Sequence, residues 1–231
     1  MKVWGLAATL GFAILAFGLG QAVAVGALTA LKAFDTARVD YDGTAIAIVT
    51  LVGNPVQLIT LVLAARLTGE DMLAYFGLNI PRWREVAIAV AGLAVVIVLG
   101  DVLTVAFGRD LVPSFQLEIH RSAQVDGTLV WLWLALIVVA PVGEELLFRG
   151  FLFRGVVRQP GDVLPGILVI ALIWSLLHIQ YDWFGAAVVF VIGVLFGYVR
   201  HLSGSTTLVI LLHVLLNLES VLETLVVLGW V

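Results

Sequence analysis

The sequence predicts an all-α fold, a polytopic transmembrane bundle of about seven helices, with six to eight as the range. Hydrophobic residues make up 62% of the chain and charged residues only 12%, whereas about a quarter of the residues of a soluble domain are charged. The mean hydropathy is +1.13. A helix needs roughly 20 apolar residues to cross a bilayer, so the chain holds at most about eight spans and no separate soluble domain.

Apolar runs, separated by charged residues or by Gly and Pro, predict the individual spans. The first run is longer than the apolar core of a signal peptide, so we expect it to be retained. The connections TGEDMLAYFGLNIPRWRE and GRDLVPSFQLEIHRSAQVDG mix charges with aromatic side chains and favour short interfacial helices. The predicted spans lie near residues 3–31, 44–65, 85–107, 127–157, 164–180, 183–200 and 206–228.

Charge and cysteine content exclude several classes of function. The net charge is -4 and the twelve Lys and Arg residues are scattered, so no basic surface for nucleic acid is expected. The absence of cysteine excludes disulfides, thiolate catalysis and Cys-based metal sites. The expected partners are the lipid bilayer and a membrane-associated protein or peptide.

The distribution of positive charges over alternate loops predicts the orientation in the membrane. Leaving out Arg149 as intramembrane, we count seven positive residues on the side of the N-terminus and four on the other side. The N-terminus is therefore predicted to be cytoplasmic, in the plasma or inner membrane, and seven spans would leave the C-terminus outside. The two sets are Lys2, Arg66, Arg82, Arg84, Arg154, Arg158 and Arg200 against Lys32, Arg38, Arg109 and Arg121.

Polar side chains inside the predicted spans indicate a functional site, because charges in lipid cost several kcal/mol each unless they are paired or hydrated. In the fourth span, Glu145 and Arg149 are four residues apart and can form an ion pair on one helix face. Glu144 is turned away by about 100° and has no local partner. The other candidates are His178 in the fifth span and His213 and Asn217 in the seventh.

Counting residues from the nearest loops predicts the depth of these groups. At about 1.5 Å per residue, Glu144 and His178 lie roughly 20 Å from the loop at 158–163. By the same count from Thr206, His213 and Asn217 lie roughly 10 and 16 Å deep. We therefore expect the four side chains to share a middle band of the membrane that is reached from the cytoplasmic side.

These side chains suit the hydrolysis of an amide bond. Glu144 and His178 could activate a water molecule by accepting its proton. His213 and Asn217, one helical turn apart, could donate hydrogen bonds to a carbonyl oxygen as it becomes negative.

Three segments resemble the motifs of a known family. EELLFR at 144–149, WSLLH at 174–178 and HVLLN at 213–217 resemble the EExxxR, FxxxH and HxxxN or HxxxD motifs of the CPBP family. Its members include CAAX prenyl endopeptidases and bacterial abortive-infection or bacteriocin-immunity membrane proteins. The one departure is Trp174 in place of phenylalanine, which we expect to be a packing position. The resemblance covers roughly residues 125–220, so we predict N-terminal transmembrane helices with interfacial loops over 1–124 and a CPBP-like catalytic core over 125–231.

The resemblance implies roles for the motif residues. Glu144 and His178 would activate water, and His213 and Asn217 would form the oxyanion hole. The supporting residues would be the ion pair of Glu145 with Arg149, which fixes the fourth helix, and Trp174.

The sequence is compatible with a site that binds zinc and with a site that works without a metal. The family has often been called a metalloprotease family, and Glu144, His178 and His213 could bind zinc from three separate helices. The chain lacks the HExxH motif, in which one helix supplies two zinc ligands. The resemblance to the CAAX endopeptidases implies a metal-independent site, so no cofactor is expected, with zinc as the alternative.

The predicted function is an intramembrane endopeptidase that hydrolyses a peptide bond of a membrane-associated or lipidated protein or peptide, in a cavity open to the cytoplasm. One alternative is a non-enzymatic membrane scaffold or bacteriocin-immunity factor that uses the same residues to join helices. Another is a transporter with Glu144 and His178 as a proton relay. The pattern of residues predicts neither the substrate nor the oligomeric state.

Overall fold

The computed structural model describes residues 4–31 and 41–230, which form α-helices and no strand. Six of these helices are long and apolar enough to cross a membrane, which confirms a polytopic helical bundle. Lys2, Lys32 and Arg38 of the charge count lie outside the described residues. The helices are α1 (Leu6–Ala30), α2 (Gly43–Arg66), α3 (Met72–Phe76), α4 (Trp83–Ala106), α5 (Ser114–Val125), α6 (Leu129–Val156), α7 (Val163–Leu176), α8 (Trp183–Ser203) and α9 (Thr206–Leu228).

Helix α7 is shorter than the fifth predicted span. It has 14 residues, or about 21 Å, while the hydrocarbon core of a bilayer is about 30 Å thick. The predicted end at residue 180 was wrong, because the helix ends at Leu176 and His178 lies in the following turn. Asp182 caps the start of the next helix, since its carboxylate accepts a hydrogen bond from the Gly185 N–H at 3.0 Å.

The two longest connections each contain a short helix, as predicted. In the first, the Asp71 carboxylate accepts a hydrogen bond from the Ala74 N–H at 2.9 Å and so caps the start of α3. Gly77 ends α3 in the left-handed region with φ of 67°. In the second connection, α5 buries Ile119, His120 and Ala123.

Helix α6, which carries the EELLFR segment, departs from regular α-geometry on both sides of Glu144. The segments Ala135–Val139 and Leu146–Leu152 are π-helical, and Ala140–Glu145 between them is α-helical. Pro141 lies between the two π segments and has no N–H to donate to the preceding turn. Some backbone carbonyl groups of α6 therefore need partners outside the helix.

Side-chain amides from neighbouring helices supply those partners. Asn54 and Gln57 of α2 donate to the carbonyl oxygens of Val139 and Gly143, both at 3.1 Å. Asn217 of α9 donates to the carbonyl oxygen of Leu136 at 2.7 Å. In lipid every backbone polar group must be satisfied within the protein, so these bonds fix α6 between α2 and α9.

The two ends of the bundle differ in positive charge. We call one the arginine-rich end, where the Thr206 N–H donates to the Gly77 carbonyl at 2.8 Å and joins α9 to the segment after α3. At the other, which we call the opposite end, the Gly43 N–H donates to the Ser122 hydroxyl at 2.8 Å and joins α2 to α5. Among the described residues, the arginine-rich end carries Arg66, Arg82, Arg84, Arg154, Arg158 and Arg200, and the opposite end carries Arg109 and Arg121. The division of the chain near residue 125 stays a prediction.

Close packing of α1 against α6 leads to a test of the fold. A Cβ atom added at Gly155 would lie 2.2 Å from the hydroxyl oxygen of Thr9. We expect Gly155→Ala to lower the free energy of unfolding by about 1–3 kcal/mol, because the helices must separate to accept it. The measurement is thermal unfolding of the purified protein in detergent. Gly11→Ala is the matched control, since a Cβ there meets no atom within 4 Å, and equal melting temperatures for the two variants would contradict this packing.

Candidate active site

A fully buried ion pair lies at the centre of the bundle. Glu145 and Arg149 are both 0% exposed, and the Arg149 Nη1 donates to Glu145 Oε1 at 3.1 Å. The pair expected from the four-residue spacing is therefore present. Both residues point into the protein, as intramembrane charges generally do.

Three further groups stabilise the Arg149 guanidinium. Its Nη2 donates to the Gly193 carbonyl of α8 at 3.1 Å. Its Cζ lies 4.8 Å from the ring centre of Trp174 and 5.4 Å from that of Phe196, so two aromatic faces attract the cation. Arg149 thereby joins α6 to α7 and α8.

His213 connects α9 to the same ion pair. Its Nδ1 lies 2.8 Å from Glu145 Oε1, and because a carboxylate oxygen accepts, Nδ1 is the donor. The ring packs edge-on against Trp174 with centres 5.5 Å apart. Glu145 thus fixes the orientation of His213, and the second ring nitrogen, Nε2, remains for other contacts.

Glu144 has a partner on another helix. The indole Nε1–H of Trp174 donates to Glu144 Oε2 at 2.6 Å. The absence of a local partner on α6 was predicted, but this bond from α7 was not. Trp174 was expected to be a packing residue, and that expectation is incomplete, because a phenylalanine at this position would have no N–H to donate.

His178 lies directly after the end of α7. Its Nδ1 donates to the Trp174 carbonyl oxygen at 2.8 Å, one of the carbonyl groups left free at a helix C-terminus. Its ring lies edge-on to the Trp174 indole with centres 4.9 Å apart. Since Nδ1 carries the hydrogen, Nε2 of the neutral ring holds a lone pair that can accept a proton.

Trp174 is therefore the residue that brings the candidate site together. Its side chain contacts Glu144, His178, His213 and the Arg149 guanidinium. Asn217 lies one turn beyond His213, where one of its two amide hydrogens bonds the Leu136 carbonyl. The second amide hydrogen remains for another acceptor.

A cavity of about 580 Å³ adjoins these residues. Trp174, His178, His213 and Asn217 line it, whereas Glu144 is partly exposed but is not among the lining residues. In this structure Glu144 is connected to the cavity through Trp174. The structure thus brings three of the four predicted catalytic side chains to one cavity, and the fourth, Glu144, into contact with Trp174 of the cavity wall.

The cavity reaches the opposite end of the bundle. Its outer wall comprises Gly108–Leu111, which follow α4, and Gln180–Asp182 of the turn after α7. None of the described residues at the arginine-rich end lines it. The expectation that the site is reached from the side of the loop at 158–163 was therefore wrong, because residue counts along helices give depth but not the direction in which a cavity opens.

Polar side chains at the cavity mouth were not identified from the sequence. Gln116 of α5 donates through Nε2 to the Ser220 hydroxyl at 3.1 Å and to the Tyr181 hydroxyl at 3.4 Å. Burial raises the pKa of the Tyr181 hydroxyl, and its bond to Gln116 acts in the opposite direction. Arg109 and Asp182 form an ion pair across the mouth. These contacts depend on tertiary packing, and no local motif indicated them.

Three carboxylates also line the cavity. They are Asp101 on α4 and Glu219 and Glu223 on α9. Their sequence signal is an acidic residue within an apolar run, which is rare in a membrane helix and usually faces a polar interior. The cavity wall is therefore polar well beyond the motif residues.

The alternative zinc set does not form a metal-binding group. Within residues 4–31 and 41–230, no three His, Cys, Asp or Glu side chains are arranged to bind one ion. Glu144, His178 and His213 each approach Trp174 instead. Metal dependence stays a prediction, with zinc as the alternative.

Comparison with known protein families gives a match for the part of the chain that carries the motifs. Residues 126–218 match the family model described as type II CAAX prenyl endopeptidase Rce1-like. No curated protein and no solved structure matches the chain. The matched segment begins before α6, ends within α9 and contains all three motifs. Residues 126–218 are therefore similar to the Rce1-like family, consistent with the CPBP family that the motifs resemble.

Proposed function

We propose that this protein is an intramembrane endopeptidase that hydrolyses a peptide bond of a membrane-associated or lipidated protein or peptide. The similarity of residues 126–218 to the Rce1-like family supports a protease in general. The observation that carries the proposal is the arrangement around Trp174, whose side chain contacts Glu144, His178 and His213 beside a cavity that carboxylate and amide side chains also line. Such a set of acid, base and donor groups in a cavity suits hydrolysis.

In the first step Glu144 and His178 activate a water molecule. Trp174 bonds Oε2 of Glu144, so Oε1 is available to accept a proton. His178 offers Nε2, because its Nδ1 is held by the Trp174 carbonyl. As one of these groups takes a proton from the water, the water oxygen forms a bond to the carbonyl carbon of the substrate.

In the same step the carbonyl oxygen becomes an oxyanion that His213 and Asn217 stabilise. Asn217 has one amide hydrogen left for this purpose. His213 donates from Nδ1 to Glu145, so it can donate to the oxyanion through Nε2 only when both ring nitrogens carry a proton. The bond to Glu145 holds the ring in place, which gives the buried ion pair a role in positioning the oxyanion donor.

In the last step the tetrahedral intermediate collapses. The carbon–nitrogen bond breaks, and the proton taken from the water passes to the leaving amine. The products are a carboxylate and a protonated amine, since the acid formed gives its proton to the amine, and Glu144 and His178 return to their starting state.

A non-enzymatic scaffold is the second candidate function. His213 and Asn217 bond Glu145 and the Leu136 carbonyl in this structure, and these contacts join helices whether or not chemistry takes place. A transporter has less support, since the cavity reaches only one end of the bundle among the described residues. Hydrolysis explains in addition why Glu144 and His178 flank the same indole.

Replacement of the proposed base tests the function directly. We expect Glu144→Gln to lower the cleavage rate about 10²- to 10⁴-fold, because the amide cannot accept the proton of water. The measurement is the appearance of new peptide N-termini, by mass spectrometry, when proteoliposomes are incubated with membrane peptides. Glu85→Gln is the control, since Glu85 pairs with Arg82 far from the cavity. Equal rates for wild type and Glu144→Gln would reject this mechanism and favour the scaffold.

Replacement of the neighbouring carboxylate separates stability from catalysis. We expect Glu145→Gln to lower the free energy of unfolding by about 3–5 kcal/mol, because it leaves the fully buried Arg149 without its counter-charge. Thermal unfolding in detergent measures this loss. Glu144→Gln is the comparison, and we expect it to keep the melting temperature of the wild type. If Glu145→Gln unfolds at the same temperature as Glu144→Gln, the ion pair does not hold the bundle together.

Replacement of Trp174 tests the hydrogen bond to Glu144. We expect Trp174→Phe to fold, because an aromatic ring remains between the helices, and to lose about tenfold or more in kcat/KM with the bond to a charged group. Trp183→Phe is the matched control, as Trp183 is 72% exposed. A Trp174→Phe variant as active as Trp183→Phe would reduce Trp174 to a packing residue.

A further inference from the structure

The arginines of the two ends predict which end faces the cytoplasm. Six arginines belong to the arginine-rich end, Arg66, Arg82, Arg84, Arg154, Arg158 and Arg200, and two to the opposite end, Arg109 and Arg121. Excess Lys and Arg mark the cytoplasmic side of a membrane protein. The count over the whole sequence, seven to four, favours the same end.

Ion pairs at the arginine-rich end do not weaken this argument. Arg154 pairs with Glu70, and Arg82 pairs with Glu85. The rule counts positive residues near the ends of the spans, and Asp and Glu contribute little to it. Paired arginines therefore still count toward the cytoplasmic side.

The cavity opens at the other end. Its walls are formed by the last turns of α4, the first turns of α8 and the turn between α7 and α8. From His213 the lining continues along α9 through Asn217 and Ser220 to Glu223, away from Thr206 at the arginine-rich end. The site and the arginines therefore lie toward different faces of the membrane.

We propose that the cavity opens on the extracytoplasmic side of the membrane. This inference rests on the proposed function. The substrate is then a segment of an exported peptide, or a segment of a membrane protein that is exposed at the outer face. The C-terminus of a prenylated protein made in the cytoplasm would meet the arginine-rich end, where the described residues form no part of the cavity.

Single cysteines introduced into this cysteine-free chain test the proposal. Asp110→Cys places a thiol at the exposed mouth and Ser220→Cys places one inside the cavity. Gly161→Cys places one at the arginine-rich end, where a Cβ meets no atom within 4 Å. Each full-length variant is expressed in cells and treated with a membrane-impermeant maleimide, before and after the membranes are made permeable.

In intact cells we expect Asp110→Cys and Ser220→Cys to react and Gly161→Cys to react only after permeabilisation. Labelling of Gly161→Cys in intact cells, with Asp110→Cys protected, would overturn the proposal by reversing the orientation. Labelling of Asp110→Cys without Ser220→Cys would also overturn it, because the cavity would then be closed to the outer face. Ser220→Cys is scored only if it reaches the membrane folded, and Asp110→Cys alone still reports the orientation if it does not.

The labelling result is independent of catalysis. Repeating it in a Glu144→Gln background should leave the pattern unchanged, since Glu144 is not among the residues that line the cavity. Labelling of Asp110→Cys and Ser220→Cys in intact cells, together with unchanged cleavage by Glu144→Gln, would reject the proposed mechanism and keep the orientation. Labelling of Gly161→Cys in intact cells, together with loss of cleavage by Glu144→Gln, would reject the orientation and keep the proposed mechanism.

Discussion

The burial of the Arg149 guanidinium is the constraint on which the rest of this structure depends. A cation without access to water is tolerated only where opposite charge, hydrogen-bond acceptors and aromatic faces surround it. Glu145, the Gly193 carbonyl and the ring of Trp174 supply these. They come from α6, α8 and α7, and His213 adds α9 through Glu145. The need to solvate one charge therefore fixes the relative positions of the four helices that form the candidate site.

A second constraint comes from the backbone of α6. Pro141 and the π-helical segments leave carbonyl groups that lipid cannot satisfy, and the amides of Asn54, Gln57 and Asn217 bond them. π-helical turns are frequent at functional sites, and here they flank the two glutamates. Asn217 has both a structural and a proposed chemical role, because one of its amide hydrogens bonds a carbonyl group of α6 and the other is left for a ligand.

The parts of this structure that depend on local sequence pattern could be predicted from the sequence. Long apolar runs predicted the spanning helices, and the four-residue spacing predicted the pair of Glu145 with Arg149. The predicted end of α7 was wrong, because the apolar run continues through Ile179 whereas the helix ends at Leu176 and the chain turns before α8, whose start Asp182 caps. The indole bond to Glu144 and the direction of the cavity could not be predicted, since both depend on how separate helices pack. Periodicity within one helix contains no information of that kind.

The short length of α7 has a consequence for how lipid and site interact. Trp174 holds Glu144 by its side chain and His178 by its backbone carbonyl, so the depth of α7 sets the depth of both groups together. A helix of about 21 Å does not match a hydrocarbon core of about 30 Å, and the bilayer thins or the flanking residues adjust around it. Bilayer thickness therefore acts on the same helix that aligns the carboxylate with the imidazole.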